Sequence, residues 1–118
     1  MTSREIGNIG EDFTVRFLEE KGCEILARNF CIRGGELDIV AKKGGLIHIV
    51  EVKTRRPDPL SGGEQALTPR KISHIVKAAE AFMRTLDSEL SCVFDVAVVE
   101  VQNGGVTDFK YIQRAFTA

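Results

Sequence analysis

The chain has no surplus of charge of either sign: 16 Lys and Arg stand against 17 Asp and Glu, a net charge of -1. A sequence without bulk attraction for polyanions must build any basic surface by local segregation. Cysteines are few. Cys23, Cys31 and Cys92 are odd in number and form no C-x-x-C pair, which speaks against a disulfide framework and a zinc site and leaves reduced core thiols as the expectation. No apolar run approaches the ~20 residues a membrane-spanning helix requires, and the opening MTSREIGNIG lacks the apolar core of a signal peptide. A cytoplasmic location and no membrane partner are therefore expected. Internal repeats and low-complexity segments are also missing. What remains, 118 residues with 43% hydrophobic and 28% charged side chains, is an ordinary globular composition at the usual size of one domain, so residues 1–118 are expected to form a single domain.

Apolar spacing divides the chain into elements. Residues 3–22 have the marks of a helix, with Ser3 as N-cap, Ile6, Ile9, Phe13 and Phe17 at helical spacing, and Lys21-Gly22 as the stop. Gly7 and Gly10 weaken that helix but let another part of the chain come close. CEILARNFCI, ELDIVAK and LIHIVEVKTR read as three strands joined by turns at Gly34-Gly35 and Lys43-Gly44-Gly45, a meander over residues 23–55. RPDPLSGGEQAL reads as an exposed, mobile loop ending at Thr68-Pro69, a cap followed by proline at the first helical position. The second helix carries Ile72, Ile75, Val76, Ala79, Phe82, Met83 and Leu86 as one apolar stripe. CVFDVAVVEV is a fourth strand, Asn103-Gly104-Gly105 a turn, and DFKYIQRAF a fifth strand or a terminal extension. A helix between strands three and four favours a crossover, so the fold class is α/β with a central mixed sheet flanked by helices.

The third strand ends in unlike charges. Ile47 and Ile49 share one face with Glu51 and Lys53, while Val50 and Val52 occupy the other. Asp38 lies in the adjoining strand, with Leu37 and Ile39 on its opposite face; counting outward from a turn centred on Gly44 sets it across from Val50, one step from Glu51. Two carboxylates and a lysine at a strand end suit a Mg²⁺ site, because this cation takes hard oxygen ligands, keeps waters and completes its shell from phosphate oxygens. The same spacing also suits a surface Glu-Lys pair emerging into solvent.

The ordered set NIGEDFTVRFLEEKG, RNFCIRGGELDIVA, HIVEVKTR, TPRKISHIVKAAEAF and FDVAVVEV resembles the YraN family of bacterial endonuclease-like proteins. That family is similar to archaeal Holliday-junction resolvases and falls within the PD-(D/E)xK nuclease superfamily; the resemblance covers nearly the whole chain. It implies a restriction-endonuclease-like core and Mg²⁺-dependent hydrolysis of phosphodiester bonds in DNA, branched or junction DNA included, with Mn²⁺ as the alternative metal. It makes Asp38 and Glu51 metal ligands, Lys53 the catalytic lysine, and Glu11 an acid on the first helix that assists the metal. Asp95 in FDV matches the family as a structural or supporting residue, and Val93 stands where a basic residue is expected. A homodimer is expected by analogy with resolvases, which cut two strands.

The second helix adds an independent observation. Arg70, His74, Lys77 and Arg84 recur at helical spacing opposite the apolar stripe. Arg70 and Lys71 also occupy the first turn, where the helix dipole disfavours cations. Arg55 and Arg56 lead from the charged strand end into the following loop. Arg55, Arg56, Arg70, Lys71, Lys77 and Arg84 are accordingly the expected phosphate contacts. His48, on the opposite strand face from Glu51, reads as a core or edge histidine. Two other classes of function fit the same chain: a non-catalytic nucleic-acid-binding module that retains the fold, and a protein-interaction domain whose charged strand end is an ion pair.

Overall fold

The computed structural model, which describes residues 1–57, 67–87 and 89–118, opens on a capped helix. Thr2, one residue before the cap read from the sequence, accepts a hydrogen bond from the Glu5 N–H, and the Glu5 carboxylate reaches back to the Thr2 N–H. This capping box satisfies two of the donors that a helix start leaves open. It launches α1 (Ser3–Glu20), and five strands and a second helix follow: β1 (Glu24–Ile32), β2 (Gly35–Lys43), β3 (Leu46–Arg55), α2 (Pro69–Met83), β4 (Ser91–Gln102) and β5 (Gly105–Phe116). Thr68 caps α2 through the Lys71 N–H with Pro69 at the first helical position, as the sequence indicates. The loop expected over residues 56–67 falls largely on residues 58–66, outside the described residues.

The sheet runs in chain order, β1-β2-β3-β4-β5. Hairpins make β1-β2, β2-β3 and β4-β5 antiparallel, whereas the crossover through α2 brings β4 back parallel to β3. The mixed sheet is thus as expected. DFKYIQRAF is the body of a fifth strand rather than a terminal extension.

Each face of the sheet has its own helix. On one, Leu37, Val40, Ile47, Ile49 and Phe94 pack against Ile75, Ala78, Ala79 and Phe82 of α2; on the other, Ile39, Ala41, Val50 and Ala97 pack against Leu18 of α1. The buried residues of α1 are Ile6, Gly10, Glu11, Thr14 and Leu18; of the Ile6, Ile9, Phe13, Phe17 row only Ile6 is buried and the others are half-buried. Phe13 and Phe17 flank this seam instead, with ring centroids 4.9 and 4.8 Å from Phe109 of β5. Gly10 is where α1 lies closest to the sheet: a methyl there would collide with Thr54. Gly7 meets no such neighbour.

Leu37 and Ile39 do not share a face, contrary to strict alternation, since one joins the α2 cluster and the other the α1 cluster. The irregularity coincides with Asn29, which sits in β1 opposite this point with φ 53°. A left-handed residue inside a strand interrupts the pleat, and Asp38 lies at the interruption. Of the cysteines, Cys23 and Cys92 are half-buried and Cys31 is exposed, and none is paired; Cys31 therefore departs from the expected core location. Among the described residues no helix is long and apolar enough to cross a membrane.

Gly35, the first residue of β2, fixes the approach of strand to helix. A Cβ there would stand 2.5 Å from the His74 carbonyl oxygen and 3.1 Å from the Ala78 methyl. Gly35→Ala must push α2 away, and is expected to destabilise the fold by about 1 to 3 kcal/mol. Urea unfolding checks this, and an unchanged midpoint would mean that α2 shifts freely.

Candidate active site

The β2-β3 ladder runs from Lys43↔Leu46 to Ile39↔Val50 around a two-residue Gly44-Gly45 turn. The turn is one residue tighter than a loop centred on Gly44. The next step of the register therefore faces Asp38 with Glu51 itself rather than with Val50. Here a side chain takes over from the backbone: Asp38 Oδ2 accepts the Val52 N–H at 2.8 Å. A carboxylate thus stands where a carbonyl would continue the ladder.

Glu51 extends from β3 toward α2 and is only 7% exposed. Its Oε1 lies 3.2 Å from Lys71 Nζ in the first turn of α2. Gly35, Glu36, Asp38, Glu51, Lys71 and His74 all line one open cavity of about 420 Å³. Burial, followed by the nearby Glu51 carboxylate, pushes the Asp38 carboxyl up to about 7. Burial first, then contact with Lys71, holds Lys53 below the ordinary lysine range. Lys71 moves the other way, held protonated chiefly by its contact with Lys53. The deeper lysine of the pair is the one that loses its proton more readily.

The sequence nominated Asp38, Glu51 and Lys53, and these converge here. From the sequence Lys71 reads as a nucleic-acid contact alone, yet it belongs to the same group. The signal was its place in a helix first turn, where the dipole is unfavourable for a cation; the Glu51 carboxylate offsets that cost. Glu36 and His74 line the cavity as well; the first is one of the acids of GELD, and the second was grouped only with the basic ridge.

Glu11 shares a cavity with Asp38, but not the one that Glu51 and Lys71 line. It lines a second cavity of about 500 Å³ beneath α1, together with Arg4, Asn8, Asn29, Asp38 and Thr54. Glu11 is 9% exposed, and its Oε1 accepts from Arg28 Nε at 3.1 Å and Asn29 Nδ2 at 2.9 Å. The carboxylate that the resemblance makes an assistant to the metal is thus held by β1.

The donor set fits a hard divalent cation that keeps most of its water. Asp38 and Glu51 supply adjacent carboxylates, and the raised Asp38 pKa marks a place that disfavours two uncompensated charges. Among the described residues no group of three or more His, Cys, Asp or Glu is placed to hold a metal ion, so protein ligation would rest on this pair.

Asp95 has a different occupation. It is fully buried; its Oδ2 lies 2.7 Å from His48 Nδ1 and accepts from the Tyr111 hydroxyl, and its Oδ1 accepts the Arg114 N–H at 2.9 Å. One carboxylate thereby ties β3, β4 and β5. Burial and this carboxylate push the Tyr111 hydroxyl well up. The structural reading of Asp95 and His48 accords with these contacts.

The basic residues spread along the rim. Arg70, Lys71, His74, Lys77 and Arg84 are all exposed on α2 or at its C-cap. Arg55 lies 3.8 Å from Glu100, and Arg56 donates to the Met1 carbonyl at 3.0 Å, so both have partners within the chain.

Comparison with known proteins identifies a family. Residues 10–99 match the model described as "Uncharacterised protein family UPF0102". The chain is 41% identical over 119 residues to a UPF0102 protein of Caldicellulosiruptor saccharolyticus, covering 98% of this chain and all of that one. It is 43% identical over 117 residues to one of Syntrophomonas wolfei, covering 97% and 99%, and 37% identical over 118 residues to one of Dictyoglomus thermophilum, covering 98% and 100%. With the family model spanning the second half of α1, the meander, the crossover and most of β4, and with relatives matched end to end, the chain belongs to the UPF0102 family.

Proposed function

We propose that this protein is a Mg²⁺-dependent endonuclease acting on DNA, with branched or junction DNA among its substrates. The observation that carries the reading is the meeting of Asp38, Glu51 and Lys71 at one cavity, with Lys53 in contact with Lys71: two carboxylates brought together beside two lysines. Such an arrangement costs stability, and strained charge clusters of this kind gather at sites of chemistry.

Asp38 and Glu51 would hold the cation, with Mn²⁺ able to replace Mg²⁺. When bound, the metal polarises a phosphodiester and lowers the pKa of bound water. The rest falls to the chain's own side chains. Val52 N–H fixes the Asp38 carboxylate through its hydrogen bond. Lys53, whose burial favours the neutral amine, is suited to take a proton from an attacking water or to orient it. Lys71, kept charged, offers a cation to the phosphate whose negative charge grows in the transition state. A panel of junction, flap, duplex and single-stranded DNA incubated with Mg²⁺ or Mn²⁺ tests the reading. Metal-dependent cleavage of at least one is expected, and metal-independent binding without cleavage of any would leave a binding module in its place.

The rim of α2 gives a prediction about binding. Arg70, Lys77 and Arg84 are spaced seven apart, two helical turns each, so they face one way. Replacing all three with Gln should weaken DNA binding on every sequence alike and flatten the dependence of log K on log salt by up to about 0.9 per lost phosphate contact. Fluorescence anisotropy at several salt concentrations measures the slope, and an unaltered slope would place this rim in plain solvent.

A further inference from the structure

We propose that Lys71 is a latch on Glu51: it is displaced when a divalent cation binds and then contacts a backbone phosphate of the substrate, so that metal and nucleic acid bind cooperatively. This inference rests on Asp38 and Glu51 being the metal ligands. Its starting point is an asymmetry within one ion pair. Lys71 Nζ lies 3.2 Å from Glu51 Oε1, but the Lys71 side chain is 46% exposed and that of Glu51 only 9%. Glu51 is enclosed and stays; Lys71 is the partner with room to move.

A cation held by Asp38 and Glu51 would meet the positive charge of Lys71, which is paired with Glu51, and of Lys53, which is in contact with Lys71. Lys53 is half-buried near the end of β3, whereas Lys71 is exposed at the start of α2 beside the open cavity. Repulsion acts on both, and Lys71, the exposed one and the one paired with Glu51, has the open path outward. The rim it swings toward carries Arg70 and His74, both exposed, and the N-terminus of a helix, where anions are favoured. A phosphate arriving there stabilises the displaced ammonium. The metal in turn frees the lysine that the phosphate uses. By linkage the factor by which each ligand helps the other is the same.

Calorimetric titration with Mg²⁺, without nucleic acid, tests the first half. Lys71→Gln removes the competing cation and is expected to bind Mg²⁺ about three- to tenfold more tightly than wild type. The second half is read by duplex DNA affinity in chelator and in Ca²⁺, which takes the same hard oxygen ligands. In chelator, Lys71 is occupied by Glu51, and the variant should match wild type within about twofold; in Ca²⁺ it should bind about three- to tenfold more weakly, for one lost phosphate contact. Lys71→Arg should restore the Ca²⁺ arm, and Lys71→Met guards against an effect peculiar to the Gln amide. Thermal melts of each variant check the fold. If wild type binds Mg²⁺ and loses it in Asp38→Asn, but Lys71→Gln binds no tighter, the latch is overturned and the nuclease reading stands. If wild type takes up no Mg²⁺, both fall together.

Discussion

Asp38→Asn, Glu51→Gln and Lys53→Ala are each expected to lower metal-dependent DNA cleavage by at least about a hundredfold, the scale set by losing a positioned proton-transfer group or a charge that acts in the transition state. The three changes work differently. Asp38→Asn and Glu51→Gln keep shape and hydrogen-bonding capacity but remove a negative charge, so they should weaken Mg²⁺ binding and cleavage together. Lys53→Ala leaves both carboxylates in place and removes a cation near them, so it should keep or tighten Mg²⁺ binding and abolish cleavage. That contrast distinguishes an active site from a surface ion pair, in which loss of any member would leave activity untouched. Single-turnover rates with saturating enzyme, set beside Mg²⁺ calorimetry and circular dichroism on the same preparations, measure it. Wild-type rates in any of the three variants would sink the assignment of that residue.

Strand alternation makes the shared face of Glu51 and Lys53 legible in the sequence, whereas their roles and that of Asp38 come from the family resemblance. The placement of Glu51 and Lys53 with Ile47 and Ile49 follows from a period of two: both isoleucines pack against α2, and both charged side chains meet Lys71 of the same helix. The same rule misplaced Leu37 relative to Ile39, because alternation presumes an unbroken pleat and Asn29, with its positive φ, interrupts it. Register failed by a single residue for a similar reason: a turn was counted as three residues where the backbone uses two, and one step decides whether Asp38 faces Val50 or Glu51. Helix periodicity found α1 but not its buried side. Gly10 and Thr14 carry too little apolar surface to mark a seam, although small residues are what let the helix come close. The long-range partners were the least legible. Nothing local in RKISH says that Lys71 pairs with a glutamate twenty positions earlier (71 minus 51), or that Glu11 is engaged by Arg28 and Asn29. Those contacts depend on which helix covers which face, and only the folded sheet decides that.

In chelator at pH 8.5, Asp38→Asn is expected to be more stable than wild type, on the order of 2 to 4 kcal/mol for a carboxyl raised by about three pKa units. The sign follows from the direction of the shift. Asp38 titrates near 7 in the folded protein, against an ordinary aspartate value of 3.8. A group whose folded pKa is raised contributes stability that is fully present below the unfolded value and is lost as pH rises through the folded one. Wild type should therefore weaken from about pH 4 to above 7, whereas the variant lacks this component of the slope. Asn is a fair mimic of the protonated form: its carbonyl oxygen can still accept the Val52 N–H, and its amide can donate to Glu51, as the protonated Asp38 carboxyl does. Mg²⁺ should reverse the ranking in part. At ~10 mM metal and an assumed dissociation constant of ~1 mM, binding to the folded state alone adds about 1.4 kcal/mol to wild type, and the variant should lose most of that gain. Urea unfolding at pH 5, 7 and 8.5, in chelator and in Mg²⁺, gives all the terms. If Asp38→Asn is instead the less stable protein at pH 8.5 in chelator, the Asp38 charge is a structural asset satisfied by the fold, and its place as a strained metal ligand is lost.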